Sequence, residues 1–217
     1  MGARRSPVAA PAVASLLLLL LVSFWSRAAA VATADGGARA WTTALQQHVA
    51  FFDSDKDGIV SFSETETGLR SIGFGFAAAT AAATLINGVI GPKTRPENAT
   101  TSTFSIYIEN IQKGIHTSDS GSYDAQGNFV QAKFDEIFSK YGKTTPNALT
   151  ESELEQMRHA NRKDNDFKGW AASKAEWDQL YGLAKDKNGL LHKDTTRTVY
   201  DGSLFYKLAN KTGPSGN

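Results

Sequence analysis

The sequence predicts one mainly α-helical domain. Three observations carry that prediction: apolar residues recur at helical steps, a twelve-residue acidic loop sits between two such stretches, and a central segment rich in Ala and Gly has no charge at all. At 217 residues the chain is ample for one core and short for two. Its 23 Lys+Arg against 22 Asp+Glu give a net charge of +1, and only 21% of residues are charged. No basic surface of the kind that binds phosphate backbones arises from that balance, so nucleic acid is not an expected partner. The absence of cysteine removes disulfides, thiolate nucleophiles, iron–sulfur clusters and cysteine-type structural zinc.

The N-terminus reads as a secretory signal peptide over residues 1–32. Arg4 and Arg5 precede an apolar run from Val13 to Trp25, which gives way to small residues at Ala28–Ala32. The run is shorter than the roughly 20 residues needed to cross a bilayer, which favours cleavage after Ala30 or Ala32 over retention as an anchor. Cleavage would remove Arg4, Arg5 and Arg27 and no acid, leaving 20 basic and 22 acidic residues and a net charge of −2. Two glycosylation sequons, Asn98-Ala99-Thr100 and Asn210-Lys211-Thr212, agree with passage through the endoplasmic reticulum.

Along the remaining chain, Trp41, Leu45, His48 and Phe52 step by four, three and four residues, so they share one face of a first helix. A loop, Asp53 to Glu64, leads to a second helix beginning near Thr65. Residues 72–90 then form the Ala/Gly-rich stretch; Gly, Thr and Asn87 dilute it, which favours a core helix or one lying along a lipid surface over a full membrane span. The polar segment 91–103 is the best candidate for a break inside the domain. Residues 106–115 are apolar and periodic. Val130, Phe134, Ile137, Phe138 and Tyr141 trace another helix, Thr150 with Glu153 forms a capping box opening the helix of Leu154 and Met157, and Trp170 to Ala184 trace one more. The domain runs over residues 41–208, with 209–217 as a tail.

Residues 53–64, DSDKDGIVSFSE, fill every slot of an EF-hand loop. Asp53, Asp55 and Asp57 stand at positions 1, 3 and 5, Gly58 takes the sharp turn at position 6, and Ile59 offers its backbone carbonyl. Ser61 can hold a water, and Glu64 closes bidentately at position 12. Hard oxygen donors at this spacing select Ca²⁺. Val60, at position 8, calls for a backbone mate. Two degenerate EF-like loops are candidates, 122–133 ending in Lys133 and 184–195 ending in Thr195; neither has the closing carboxylate, so neither is expected to bind Ca²⁺ well.

Of the four histidines, His48 reads on spacing alone as a buried, hydrogen-bonded core residue, and His116 as the end of the 106–115 segment. His159 and His192 lie in polar contexts. No His-x-x-x-His pair and no Ser/His/Asp order is present, so hydrolase or zinc chemistry has no support.

The chain resembles the caleosins, the plant peroxygenase family, through LQQHVAFFDSDKDGIVSFSET (45–65), IYIENIQKGIHTSDSGSYDAQGNFV (106–130), KFDEIFSKY (133–141), NRKDNDFKGWAASKAEWDQLYGLAKDKNGLL (161–191) and DGSLFYKL (201–208). That resemblance implies a Ca²⁺-binding protein with haem b. Such a protein transfers an oxygen atom from a hydroperoxide to an unsaturated fatty acid or similar lipid. The family's two haem-associated histidines fall on His48, expected as the axial ligand, and His116, expected as the distal acid–base residue. With the Ca²⁺ loop starting five residues after His48, the loop is expected to fix the pitch of the helix that carries it. The chain departs from the family in lacking a proline-rich knot, since only Pro92 and Pro96 remain there. With the leader, this points to the secretory pathway (ER-associated, lumenal or secreted), with ER membrane or lipid droplet as the alternative. A second reading is a non-enzymatic Ca²⁺-dependent protein of a membrane or lipid surface, using 72–90 to bind lipid.

Overall fold

The computed structural model describes residues 40–212, so the expected signal peptide and the last residues of the tail lie outside the described residues. The fold is mainly helical, as expected. Thr43 opens α1 (Ala44–Ala50) with a reciprocal capping box to Gln46, which sets the helix start three residues after Trp41. The acidic loop contains β1 (Ile59–Val60) and runs into α2 (Phe62–Ser71). This helix begins three residues before the expected Thr65, because Ser61 and Glu64 form a second capping box.

The uncharged stretch forms α3 (Phe76–Thr94), which buries Ala79, Ala82 and Ala83 against Leu69 and Ile72 of the α2 end. Small side chains let the two helices approach closely, and this is the core option of the sequence reading. No described helix is long and apolar enough to cross a membrane. The polar loop expected at 91–103 begins four residues later, because α3 continues through Pro92 to Thr94. Thr94 then accepts the Tyr107 N–H on its hydroxyl at 3.1 Å and the Asn110 amide on its carbonyl at 2.9 Å, which ties the polar loop to the segment around residues 107–110. Polarity here reflects hydrogen bonding across the loop's two ends.

Next come β2 (Ile106–Tyr107) and a 3₁₀ helix (Ile108–Gly114). The mate of Val60 is Ile106, in an antiparallel pair with Ile59 opposite Tyr107, and neither degenerate loop supplies it. The pairing needs an extended backbone and an apolar side chain, not metal ligands. Val60 and Ile106 are 1% and 2% exposed, and buried Asn87 of α3 donates to the carbonyls of Val60 and Phe104.

Loop 122–133 folds back on itself through a Tyr123–Phe129 bridge, and the Gly127 carbonyl receives the Leu45 N–H at 3.0 Å, so it abuts the start of α1. Then come α4 (Gln131–Tyr141), β3 (Ala148–Leu149), α5 (Glu151–Asn161), α6 (Phe167–Ala184), β4 (Leu191–His192), α7 (Lys193–Tyr200) and α8 (Ser203–Thr212). Loop 184–195 has its own mate: Leu191 pairs with Leu149. Glu153 accepts the N–H groups of Lys143 (2.8 Å), Thr144 (2.7 Å) and Thr150 (2.8 Å), so backbone donors surround the carboxylate. Phe134, Phe138, Leu149, Met157, Trp177 and Leu191 form the core of this half, while Val60, Ile106, Ile108 and Ile111 form one in the first half.

Candidate active site and metal loop

In the acidic loop, short side chains fold the backbone by accepting its own N–H groups. Asp53 Oδ2 accepts from Gly58 at 3.0 Å, Asp55 Oδ1 from Asp57 at 3.2 Å, and Asp57 Oδ1 from Ile59 at 2.7 Å. Gly58 adopts φ +89°, which a residue with a Cβ rarely takes. The result gathers carboxylate oxygens of Asp53, Asp55 and Asp57 within 4.8 Å of one another. Burial, together with the charges of Asp57, Glu64 and Asp55, pushes the Asp53 carboxyl above its ordinary value against the pull of the Gly58 N–H. Its Oδ1 is buried without a partner. Glu64 is spanned between the loop's ends, with Oε1 accepting Ser54 N and Oγ at 2.9 Å and Oε2 accepting Ser61 N at 2.9 Å and Oγ at 2.8 Å. Although burial opposes it, these bonds hold Glu64 below the usual glutamate value. Three clustered carboxylates, an orphaned buried oxygen and hard donors throughout suit a dication such as Ca²⁺.

Between the two halves lies a cavity of about 410 Å³, with walls contributed by α1, α2, α3, the 3₁₀ helix, α6, α7 and α8. Its lining is largely aliphatic and aromatic, in the manner of small-molecule sites. The face predicted from the sequence turns out to look onto it: Leu45, His48 and Phe52 all line the cavity. His48 donates from Nδ1 to the Val199 carbonyl at 2.7 Å, and its ring meets the Phe205 edge at 4.9 Å between centroids. Gly202, at φ +76°, permits this approach, since a Cβ there would lie 3.0 Å from His48 Cα and 2.9 Å from the Gln47 carbonyl. Burial lowers the His48 imidazole below the ordinary histidine value despite Val199, Glu176 and Asp201. The neutral ring, with its hydrogen fixed on Nδ1, keeps the Nε2 lone pair for a ligand.

His116, sixty-eight residues later, lines the same cavity. The family resemblance associates these two histidines, and the chain order β1–α2–α3–β2 brings both to one cavity. The Nε2 of His116 lies 3.3 and 3.4 Å from the two oxygens of Glu176 on α6, and its Nδ1 is buried without a partner. Burial alone would depress this imidazole, but the Glu176 hydrogen bond and charge, with Asp119 and Asp166 behind them, raise it above the ordinary value. Burial and the Glu176 charge in turn push Asp119 up. Among the described residues no Lys or Arg lines the cavity, so of these the two histidines are the basic groups that face Asp119 and Glu176.

Two imidazole nitrogens in an apolar chamber fit an iron porphyrin. The chain has no thiolate, and among the described residues one ring is bonded through Nδ1 only while the other offers an unpaired buried nitrogen. His159 and His192 are elsewhere, beside Glu155 and Asp186. Glu176 and Asp119 escaped the sequence reading. Asp119 sat unremarked three residues after His116, and Glu176 lies between Ala175 and Trp177 with no local pattern to mark it.

A family model described as caleosin related protein matches residues 40–209. The chain is 53% identical over 164 residues to a protein of Arabidopsis thaliana named probable peroxygenase 4, covering 76% of this chain and 84% of that one. It is 48% identical over 164 residues to a protein of Lilium longiflorum named peroxygenase, with 76% and 69% covered. It is also 39% identical over 150 residues to an Arabidopsis thaliana protein named probable inactive peroxygenase-like protein, with 69% and 72% covered. No solved structure gives a significant match.

Proposed function

This chain belongs to the caleosin family, and on that premise we propose that it is a calcium-binding haem peroxygenase, an oxidoreductase that transfers one oxygen atom from a hydroperoxide to an unsaturated fatty acid or similar lipid. One observation carries the reading furthest: His48 and His116 come from segments far apart in sequence and line one apolar cavity, each with a ring nitrogen that no described residue uses. A relative named as inactive makes the residues of the cavity, rather than the fold alone, the ground for assigning activity.

In this reading His48 would hold the haem iron through Nε2, since the Val199 carbonyl fixes its tautomer and Phe205 packs against its ring. The bound haem supplies the redox-active iron at which the hydroperoxide is cleaved. The protein's own work is to position and to exclude water. Ile86, Leu180, Leu183 and their neighbours bind the acyl chain and keep water away, while His116 accepts and returns the hydroperoxide proton. Ca²⁺ binds Asp53, Asp55, Asp57, the Ile59 carbonyl, Ser61 through water, and Glu64. Its loop begins two residues after α1 gives way to Phe51, so the ion stiffens the joint between the His48 helix and α2.

The leader-like N-terminus and the exposed Asn98 and Asn210 of the two sequons support residence in the secretory pathway. A glycosidase-sensitive mobility shift of protein from its native tissue tests that point. The function itself is tested by supplying purified protein with Ca²⁺, haem, a fatty-acid hydroperoxide and oleate: epoxide formation is expected, and its absence from haem-loaded protein would sink the proposal.

A further inference from the structure

Glu176 lies in the resembling stretch 161–191 but receives no role from it, yet its carboxylate lines the cavity and embraces one ring nitrogen of His116 at 3.3 and 3.4 Å. The same helix grips the same loop at a second point. Asp166, the N-cap of α6, accepts on Oδ2 the Ser118 N–H at 3.0 Å, the Ser118 hydroxyl at 2.7 Å and the Thr117 hydroxyl. Two carboxylates of α6 therefore fix both the backbone beside His116 and its ring.

The chemistry of the pair is one-sided. A carboxylate only accepts, so the hydrogen of the neutral ring sits on Nε2 and the lone pair on Nδ1. Nδ1 is buried and has no protein partner. Buried polar atoms in folded proteins are rarely left unpaired without a purpose. A histidine needed only for packing would have both nitrogens satisfied; this one is tied down on one side and left open on the other.

We infer that Glu176 is the positioning residue of His116, fixing its Nε2–H tautomer and ring direction so that Nδ1 is the atom that exchanges a proton with the hydroperoxide. The inference rests on the acid–base role proposed for His116. The proton balance is closed: the hydroperoxide O–H breaks, its proton passes to Nδ1, and the same proton returns to the alcohol oxygen released when the O–O bond breaks. Between those events the imidazolium charge is held by Glu176. Asp119 on the same loop faces the ring as well, and His48, Tyr123 and Tyr200 are the other titratable groups of the cavity. Among the described residues that line the cavity there is no Lys or Arg, and His48, the other imidazole, is bonded through Nδ1 to Val199.

The test is made on the full chain labelled with ¹⁵N at histidine, with Ca²⁺ and before haem is added; the His116 ring signals are identified by their loss in H116Q. The wild-type neutral ring is expected to show the Nε2–H pattern. Glu176→Asp keeps an acceptor-only group and should keep that tautomer. Glu176→Gln is isosteric but can donate as well as accept, and should give a mixture. In the haem-loaded protein, Glu176→Gln should lower turnover at saturating hydroperoxide by about 10²-fold with a smaller change in KM, and Glu176→Asp should recover part of it. An unchanged Nε2–H pattern and unchanged turnover in Glu176→Gln would overturn the inference. A shifted tautomer with unchanged turnover in both Glu176→Gln and His116→Gln would uphold the clamp while removing His116 from the reaction, so the two claims fail separately.

Discussion

At the scale of single residues, His48 and His116 do opposite things with the same side chain. His48 is kept neutral by burial and anchored on a carbonyl, which suits a metal ligand, whereas His116 is kept basic by a carboxylate, which suits proton transfer. His48→Ala should therefore lose the Soret band while its far-ultraviolet circular dichroism stays that of a folded protein. His116→Gln should keep the band and lose roughly 10²- to 10⁴-fold in turnover, the usual worth of an acid–base group. A third residue answers for stability. Glu153 accepts three backbone N–H groups, and despite burial those bonds hold its carboxyl at about 2 against an ordinary 4.5. Because the folded value is the depressed one, its contribution is complete above about 4.5 and disappears as pH falls towards 2. Urea denaturation should show that loss in wild type and a shallower one in Glu153→Gln, which is expected to be about 1–3 kcal/mol less stable at pH 7.

At the scale of elements, what the sequence revealed was what short-range chemistry decides. The 53–64 loop was legible because ligand types, a turn glycine and a closing glutamate all fall within twelve residues, and the Thr150–Glu153 box because a cap acts over three. The mate of Val60 was not legible, since Ile106 shares no loop signature with it and is chosen by the packing of α3 between them. The end of α3 differs from the composition change for a related reason: Pro92 removes one N–H from the last turn without ending the helix there, and Thr94, two residues on, is satisfied by the next strand. Close approach is what α3 requires at Gly91, where an added Cβ would lie 2.4 Å from the Thr103 carbonyl oxygen, with further backbone atoms at 3.2 Å. Neither side can yield without moving the backbone, so Gly91→Ala should cost about 1–3 kcal/mol and lower Tm by several degrees in a calorimetric scan.

At the scale of the molecule, the cavity belongs to no single element; its walls come from both halves of the chain. That is why its acids went unseen in the sequence while its histidines became visible only through family resemblance. The same construction would tie calcium bound in the 53–64 loop to the cavity. Asp53 begins the loop one residue after Phe52, and Phe52, Val60 and Thr65 around the loop line the cavity that holds His48. Removing Ca²⁺ leaves Asp53, Asp55 and Asp57 to repel one another, so chelation should loosen α1 against α2, lower Tm, and raise the binding of a dye that senses apolar surface. Calcium-dependent haem chemistry is tested most directly by an absorption spectrum of the purified protein reconstituted with haem, recorded with Ca²⁺ and after chelation, alongside epoxide formation from a fatty-acid hydroperoxide and oleate. A Soret band with turnover in Ca²⁺ is expected, with loss of turnover on chelation that returns when Ca²⁺ is restored. A protein that binds Ca²⁺ yet stays colourless and inactive after reconstitution would contradict that chemistry, and would favour a calcium-dependent protein of a lipid surface.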